Sequence, residues 1–135
     1  MPNGIDNRRP PKERVLGVPD GAGGGLAFPF GRLDENSAAR AAHATVGGEE
    51  VVVFWSHAAQ GAMAYRPRTG AQTLTFAGMG ADAFVDAETN STWRLDGRAV
   101  AGPLAGTQLE PLADAYVAFW FAWAAFQNQT RIWNG

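Results

Sequence analysis

Two acidic side chains lie close to several hydrogen-bonding side chains in one short stretch of the sequence, residues 86–93, DAETNSTW. In an extended strand, side chains two positions apart point to the same side, so Asp86 and Glu88 are predicted to share a face. Two carboxylates on one face can bind a hard cation such as calcium or magnesium. They can also divide into an acid and a base if burial raises the pKa of one. Together with Ser91 and Trp93, they form the first candidate ligand site.

The same stretch is also typical of a tight turn. An aspartate at such a position accepts hydrogen bonds from backbone N–H groups, and Thr89, Asn90 and Ser91 all favour turns. A second turn is predicted at residues 102–106, GPLAG. We favour this structural interpretation, in which the acidic side chains satisfy backbone donors and the turns set the register of the strands.

The two histidines, His43 and His57, stand on either side of a valine-rich segment, residues 49–55. A strand of seven residues separates its ends by about 23 Å, so the histidines are not expected to share a metal unless the flanking loops fold back. His57 is retained as a third candidate metal ligand beside Asp86 and Glu88. Catalysis by Ser56 with His57 is not predicted, because neighbouring strand residues point to opposite faces and no glycine elbow surrounds the serine.

The tryptophans carry much of the apolar surface of the chain. Trp120 and Trp123 are predicted to lie in the core or in an interface. Trp55 and Trp93 end predicted strands, where their indole N–H groups would reach solvent. These two are therefore candidates for lining a binding pocket.

The elements that would position these residues are mostly strands. Residues 49–55, EEVVVFW, predict a central strand that is buried on both faces, because the run is apolar without alternation. Hairpins are predicted over residues 14–34, 61–78 and 83–97, with glycine or Thr-Asn turns. The alanine-rich residues 35–45 predict a short helical turn. Residues 1–13 are predicted to be a flexible tail, and residues 14–135 one globular β-rich domain.

A helix is predicted near the end of the chain, with Asp114 as its N-cap. The segment Tyr116–Phe126 is apolar almost all round, which predicts a helix enclosed by the sheet or paired with another chain. It is therefore the candidate surface for a homo-oligomer. The predicted fold class is mainly β, or α+β: a small single domain of antiparallel strands and hairpins with one buried C-terminal helix.

Composition limits the classes of function. The 135 residues contain no cysteine, which excludes disulfides, thiolate metal sites and thiol catalysis. The net charge of −2, without clustered cations, does not predict a nucleic-acid partner. The longest apolar run, residues 115–126, is too short to span a bilayer, which takes about 20 residues. No leader is recognisable, so a cytoplasmic location is the default, and an extracytoplasmic one would follow if the true start encodes a leader.

Over most of its length the chain resembles bacterial and archaeal proteins of domain-of-unknown-function family 3179. The resemblance rests on three segments: Asp86-x-Glu88-Thr89-x-Ser91-x-Trp93, Gly102-Pro103-Leu104-Ala105-Gly106, and the aromatic stretch 119–126. The resemblance implies kinship and no particular chemistry. Many relatives carry a Cys-Pro-Leu-Cys-Gly segment after the valine strand, which looks like a metal or redox site. This chain has SHAAQGAMAY there instead.

Three functional hypotheses follow. The leading one is a non-catalytic binding or structural module without a cofactor. The second is a metal-binding or acid/base enzyme that uses Asp86 and Glu88, with a divalent cation as the cofactor. The third, implied by the resemblance, is a remnant of an exported redox or metal protein that lacks the cysteines of its relatives.

Overall fold

The computed structural model describes residues 6–35 and 37–135, and these form thirteen β-strands and two short helices. The strands are β1 (Arg14–Pro19), β2 (Gly24–Pro29), β3 (Ala39–Val46), β4 (Glu49–Ser56), β5 (Gly61–Tyr65), β6 (Arg68–Thr69), β7 (Gln72–Thr73), β8 (Phe76–Met79), β9 (Ala83–Asp86), β10 (Thr92–Arg94), β11 (Ala99–Ala101), β12 (Tyr116–Phe119) and β13 (Gln129–Ile132). The helices are α1 (Phe30–Leu33) and α2 (Trp120–Phe126). The predicted fold class is confirmed: a small, mainly β domain with a helix near its C-terminus.

The valine-rich strand β4 is the middle strand of a three-stranded antiparallel sheet, with the order β3-β4-β5. Its residues alternate between two cores. Val51, Val53 and Trp55 face one core, and Val52 and Phe54 face the other. All five are almost completely buried, so the prediction of a central strand buried on both faces is confirmed.

Each face of this central sheet is covered by a second sheet. One outer sheet has the order β12-β1-β2-β13 and contributes Leu16 and Phe28 to the first core. The other has the order β11-β10-β9-β8 and contributes Phe76, Phe84 and Trp93 to the second core. The domain is therefore a stack of three β layers, and the small β6–β7 hairpin stands beside it.

The helix α2 forms a fourth layer on the outer face of the β12-β1-β2-β13 sheet. Trp120 and Trp123 are fully buried there against Val15 and Ala27. Gly17 in β1 makes this close approach possible, since a Cβ atom at that position would lie 2.3 Å from the ring of Trp123. The predicted core location of both tryptophans is thereby confirmed.

The helix is shorter than predicted. Residues Tyr116–Phe119 form an edge strand paired with β1, and Phe119, not Asp114, is the N-cap of α2. Aromatic and β-branched residues suit a strand, and pairing with β1 satisfies their backbone groups. The helix buries one face only, because Phe121 is 51% exposed and Phe126 80% exposed. Within the described ranges, no helix is long and apolar enough to cross a membrane.

The prediction of a helical turn over residues 35–45 is wrong for residues 39–45, which lie in β3. This strand pairs with β4 over its full length, from Ala39 opposite Ser56 to Val46 opposite Glu49. Eight residue pairs along a buried partner outweigh the high helix propensity of alanine, because strand pairing overrides local propensity.

The predicted tail divides into two parts. Residues 1–5 lie outside the described residues. Residues 6–13 lie against α2: the backbone N–H groups of Trp120 and Phe121 donate to the carbonyls of Glu13 and Pro11, at 2.7 and 3.0 Å. The Trp120 indole also donates to the carbonyl oxygen of Asp6, at 2.9 Å. This part of the segment is anchored and caps the open start of the helix.

Candidate functional site

Asp86 is a buried carboxylate at the end of β9, and three donors within its own turn surround it. It accepts hydrogen bonds from the Thr89 N–H, from Thr89 Oγ1 at 2.9 Å and from the indole Nε1 of Trp93 at 2.8 Å. Burial acts to raise the pKa of Asp86, but these hydrogen bonds favour the ionised form and bring the pKa below its usual value. Asp86 is therefore an ionised acceptor inside the fold.

Ser91 connects this turn to the GPLAG segment. Its hydroxyl lies 2.6 Å from Thr89 Oγ1 and accepts a hydrogen bond from the Leu104 N–H, at 3.0 Å. Gly102 has a φ of +89°, and a Cβ there would lie 2.7 Å from Cα of Ser91. The two sequence motifs therefore form one corner, in which Asp86, Ser91 and Trp93 hold neighbouring turns together.

Glu88 does not share a face with Asp86, so that prediction is wrong. The strand β9 ends at Asp86, and the chain then turns through Asn90, which has a φ of +59°. Glu88 is exposed and accepts hydrogen bonds from the Thr75 N–H and the Thr75 hydroxyl, at 2.7 and 2.8 Å. The two carboxylates thus bind different segments, and Glu88 fixes the chain just before β8.

His43 holds the next residue of the same segment. Its Nε2 accepts a hydrogen bond from the Phe76 N–H at 2.9 Å, and its ring stacks on Phe76 with centroids 6.1 Å apart. Much of the His43 side chain is exposed, but desolvation on its packed side lowers the pKa of His43, while the negative charges of Glu50 and Glu88 oppose this shift. The histidine acts as a neutral acceptor that fixes β8 to the central sheet.

This arrangement predicts a loss of stability in mild acid. An unfolded histidine titrates near pH 6.5, and the folded pKa of His43 is lower. As the pH falls below about 6.5, the unfolded chain binds a proton that folded His43 resists, so the free energy of unfolding decreases until the folded pKa is passed. Urea denaturation at pH 7.5, 6.5 and 5.5 measures this decrease. In His43→Gln, whose side-chain oxygen still accepts the N–H, the decrease should be smaller; an equal decrease would contradict this role.

A second carboxylate cluster lies at the end of β4. Asp34 Oδ1 accepts hydrogen bonds from the indole Nε1 of Trp55 at 3.0 Å and from Nδ1 of His57 at 2.7 Å. Burial acts to raise the pKa of Asp34, but the hydrogen bonds from His57 and Trp55 bring it below its usual value. The side chain of His57 is mostly exposed, so its Nε2 remains open to solvent.

Trp55 and Trp93 do not reach solvent, contrary to the prediction, since both are fully buried. Each indole N–H donates to a carboxylate, Asp34 or Asp86, which supplies the partner that a buried indole requires. The ends of both strands are covered by the adjoining loops. Neither tryptophan offers a surface for a ligand in this structure.

Sequence reasoning missed Asp34 and the structural role of His43. Asp34 lies 21 positions before Trp55, in a turn after α1, and no spacing pattern connects the two. The acceptor role of His43 depends on how β8 crosses the edge of the central sheet. A buried tryptophan at a strand end was the one available signal, because its N–H must find an acceptor.

The candidate metal ligands lie in separate clusters. Asp86 and Glu88 bind different backbone segments, and His57 bonds to Asp34. Over residues 6–35 and 37–135, no three His, Asp or Glu side chains are grouped so as to hold a metal ion. The use of Asp86, Glu88 and His57 as cation ligands remains a prediction from the sequence.

An exposed apolar surface runs along β12 into the start of α2, and we call it the edge surface. Its members are Tyr116, Val117, Phe119 and Phe121, each between 40 and 51% exposed. Phe119 and Phe121 stack with centroids 6.1 Å apart. β12 is the outermost strand of its sheet and pairs with β1 on one side only. Backbone groups and apolar side chains are therefore open to a partner along the same edge.

The comparisons with known proteins identify a family and no nearer relative. No curated protein and no solved structure matches the chain. The model of the family described as "Protein of unknown function (DUF3179)" matches residues 2–130, which include the Asp86 corner, the GPLAG turn and the edge surface. This match spans nearly the whole chain and agrees with the resemblance that its motifs carry. The chain therefore belongs to the DUF3179 family.

Proposed function

We propose that this protein is a non-catalytic interaction module that binds a second copy of itself through the edge surface. The observation that carries the proposal is the run of half-exposed apolar side chains along an open edge strand and the start of α2: Tyr116, Val117, Phe119 and Phe121. At about 200 Å² for a fully exposed aromatic side chain, the four present roughly 350 Å². Patches of this size on a monomer are often functional.

The absence of charge along this edge supports a second copy as the occupant. Edge strands that must stay unpaired usually carry charged residues or proline. Residues 115–130 contain neither. Two copies of β12 related by a two-fold axis could pair antiparallel and join their sheets, with the apolar side chains of one copy against those of the other. Phe126, 80% exposed at the end of α2, would extend the contact.

The polar residues first considered for catalysis support the non-catalytic part of the proposal. Asp86 and Ser91 are fully buried, and their side-chain oxygens bond to neighbouring turns. Glu88 binds Thr75 with both of its oxygens. The hydrogen bonds of these side chains stabilise neighbouring turns. An acid/base reaction at these groups would have to break the same hydrogen bonds.

The test is the oligomeric state of the full chain, measured by sedimentation velocity between about 5 and 200 µM, the range expected of a modest interface. We expect a dimer whose population rises with concentration. Phe121→Glu should be monomeric throughout, because it places a charge in the apolar contact between the two copies. Val100→Glu is the matched control: Val100 is 48% exposed on β11, away from the edge surface, and this variant should dimerise normally.

A charge-swap pair makes the test specific. Val117→Glu mixed with Val117→Lys should restore a dimer that neither variant forms alone, because residue 117, near the middle of β12, lies close to the same residue of the other copy in the proposed antiparallel pairing. A monomeric wild-type protein at the highest concentration, or a Phe121→Glu variant that dimerises like wild type, would overturn the proposal. Circular dichroism of each variant verifies that the monomers are folded.

A further inference from the structure

A polar cavity lies beside the turn that joins β3 and β4. Its volume is about 270 Å³, and its lining combines the turn before β4 with the β5–β6–β7 region. The lining residues are Gly48, Glu49, Glu50, Arg66, Pro67, Arg68 and Thr73. This volume is near the lower limit of ligand pockets, so it suits a molecule of few atoms.

The charges in the cavity are balanced but not all paired with each other. Arg66 forms ion pairs with Glu49 and with Glu110, which lies outside the cavity. Within the described residues, Glu50 and Arg68 have no ion-pair partner. The guanidinium of Arg68 reaches only the carbonyl of Gly70 through its Nε, at 3.3 Å. One carboxylate and one guanidinium therefore face the same cavity without neutralising each other.

These opposite charges favour a ligand that carries both signs. A simple anion would be repelled by Glu49 and Glu50, and a simple cation by Arg66 and Arg68. A molecule with an ammonium at one end and a carboxylate at the other can pair its ammonium with Glu50 and its carboxylate with Arg68. We propose that this cavity binds a small zwitterion of the amino-acid class, with Thr73 as an additional polar contact.

This proposal is independent of self-association, because none of the lining residues belongs to the edge surface. The separation between the two ligand charges is the property that the cavity would select. A series from glycine through β-alanine and γ-aminobutyrate to 6-aminohexanoate varies this separation while keeping both charges. Butylamine and butyrate carry one charge each and serve as the single-charge controls.

The experiment is a titration of the full-length, isotope-labelled protein at low ionic strength, monitored by amide NMR shifts. We expect at least one zwitterion to shift the amides of Gly48, Arg68 and Thr73 in a saturable manner, and more strongly than butylamine or butyrate. Glu50→Gln and Arg68→Gln should each weaken binding about fivefold, the upper range for an exposed ion pair. Asp114→Asn, which removes an exposed carboxylate outside the cavity lining, should bind like wild type.

The same spectra report whether each variant is folded, so a loss of binding cannot be confused with a loss of structure. Three results would overturn the proposal. The first is no saturable shift at these amides with any zwitterion in the series. The second is equal binding of butylamine or butyrate, and the third is undiminished binding in the two cavity variants.

Discussion

Replacing Asp86 by alanine should lower the free energy of unfolding by about 3–4 kcal/mol, because it leaves several buried donors without an acceptor. Those donors are the indole N–H of Trp93 and both the N–H and the hydroxyl of Thr89. Asp86→Asn should cost less stability than Asp86→Ala, because the amide oxygen still accepts some of these hydrogen bonds. It should still cost something, because the amide NH₂ group would face hydrogen-bond donors. Urea denaturation at pH 7 measures both effects.

The matched control is the other carboxylate of the motif. Glu88→Gln lies in an exposed position and keeps an oxygen for Thr75, so its cost should be about 1 kcal/mol or less. A similar cost for the Asp86 and Glu88 variants would contradict the assignment of Asp86 as the buried acceptor of the corner. The pH dependence provides a second check. Because hydrogen bonding holds the pKa of Asp86 below 3.8, the contribution of this carboxylate should be present at pH 5 and lost as the pH falls through its folded value.

Replacing Trp123 by alanine should cost about 3–5 kcal/mol, the range for removing a large buried aromatic side chain. Trp123 is fully buried between α2 and the sheet, and its indole N–H donates to the Thr130 hydroxyl at 2.8 Å. Removing the Trp123 side chain eliminates both the apolar contact of α2 with the sheet and the hydrogen-bond donor to the buried Thr130 hydroxyl. Thermal and urea denaturation measure it, with Phe126→Ala as the control, because Phe126 is 80% exposed and its removal should change stability little.

The contact between Trp123 and Gly17 allows a double-mutant test of this packing. Gly17→Ala alone should destabilise the protein by about 3 kcal/mol or more, because the new methyl group overlaps the ring of Trp123. In a Trp123→Leu background the ring is absent, so the same change at Gly17 should cost much less. Additive effects of the two changes would show that the methyl group is accommodated by other means.

The sequence predicted the strands more reliably than the helices. The valine run predicted β4 and its burial, because a strand with apolar residues on both sides can be stable only between two layers. The prediction failed at residues 39–45 and 116–119. In both segments, pairing with another strand, β4 or β1, decides the structure, and local propensity does not contain that information. The predicted fold class is still correct, because both errors assigned helix to a segment that forms a strand, and the domain remains mainly β.

The structural interpretation of Asp86 was predictable because the hydrogen bonds to its carboxylate are local. Thr89, Ser91 and Trp93 lie within seven positions of Asp86, so turn chemistry could suggest their mutual contacts. The partnership of Asp34 with Trp55 and that of His43 with Phe76 join residues 21 and 33 positions apart. Such contacts depend on how the sheets pack against each other, and no periodic pattern in a single sequence indicates that packing. That residues 116–119 form an edge strand paired with β1 escaped prediction for the same reason.

The parallel pairing of β13 with β2 has a consequence for the order of folding. This pairing joins Thr130 to Gly25 across 105 positions, whereas most other strand pairs are hairpins between neighbours along the chain. Closing so long a loop costs more entropy than closing a hairpin, so the outer sheet should be completed late. Until then, β2 presents an open edge of backbone groups. The transient species most at risk of aggregation is therefore one with its hairpins formed and its last strand not yet docked.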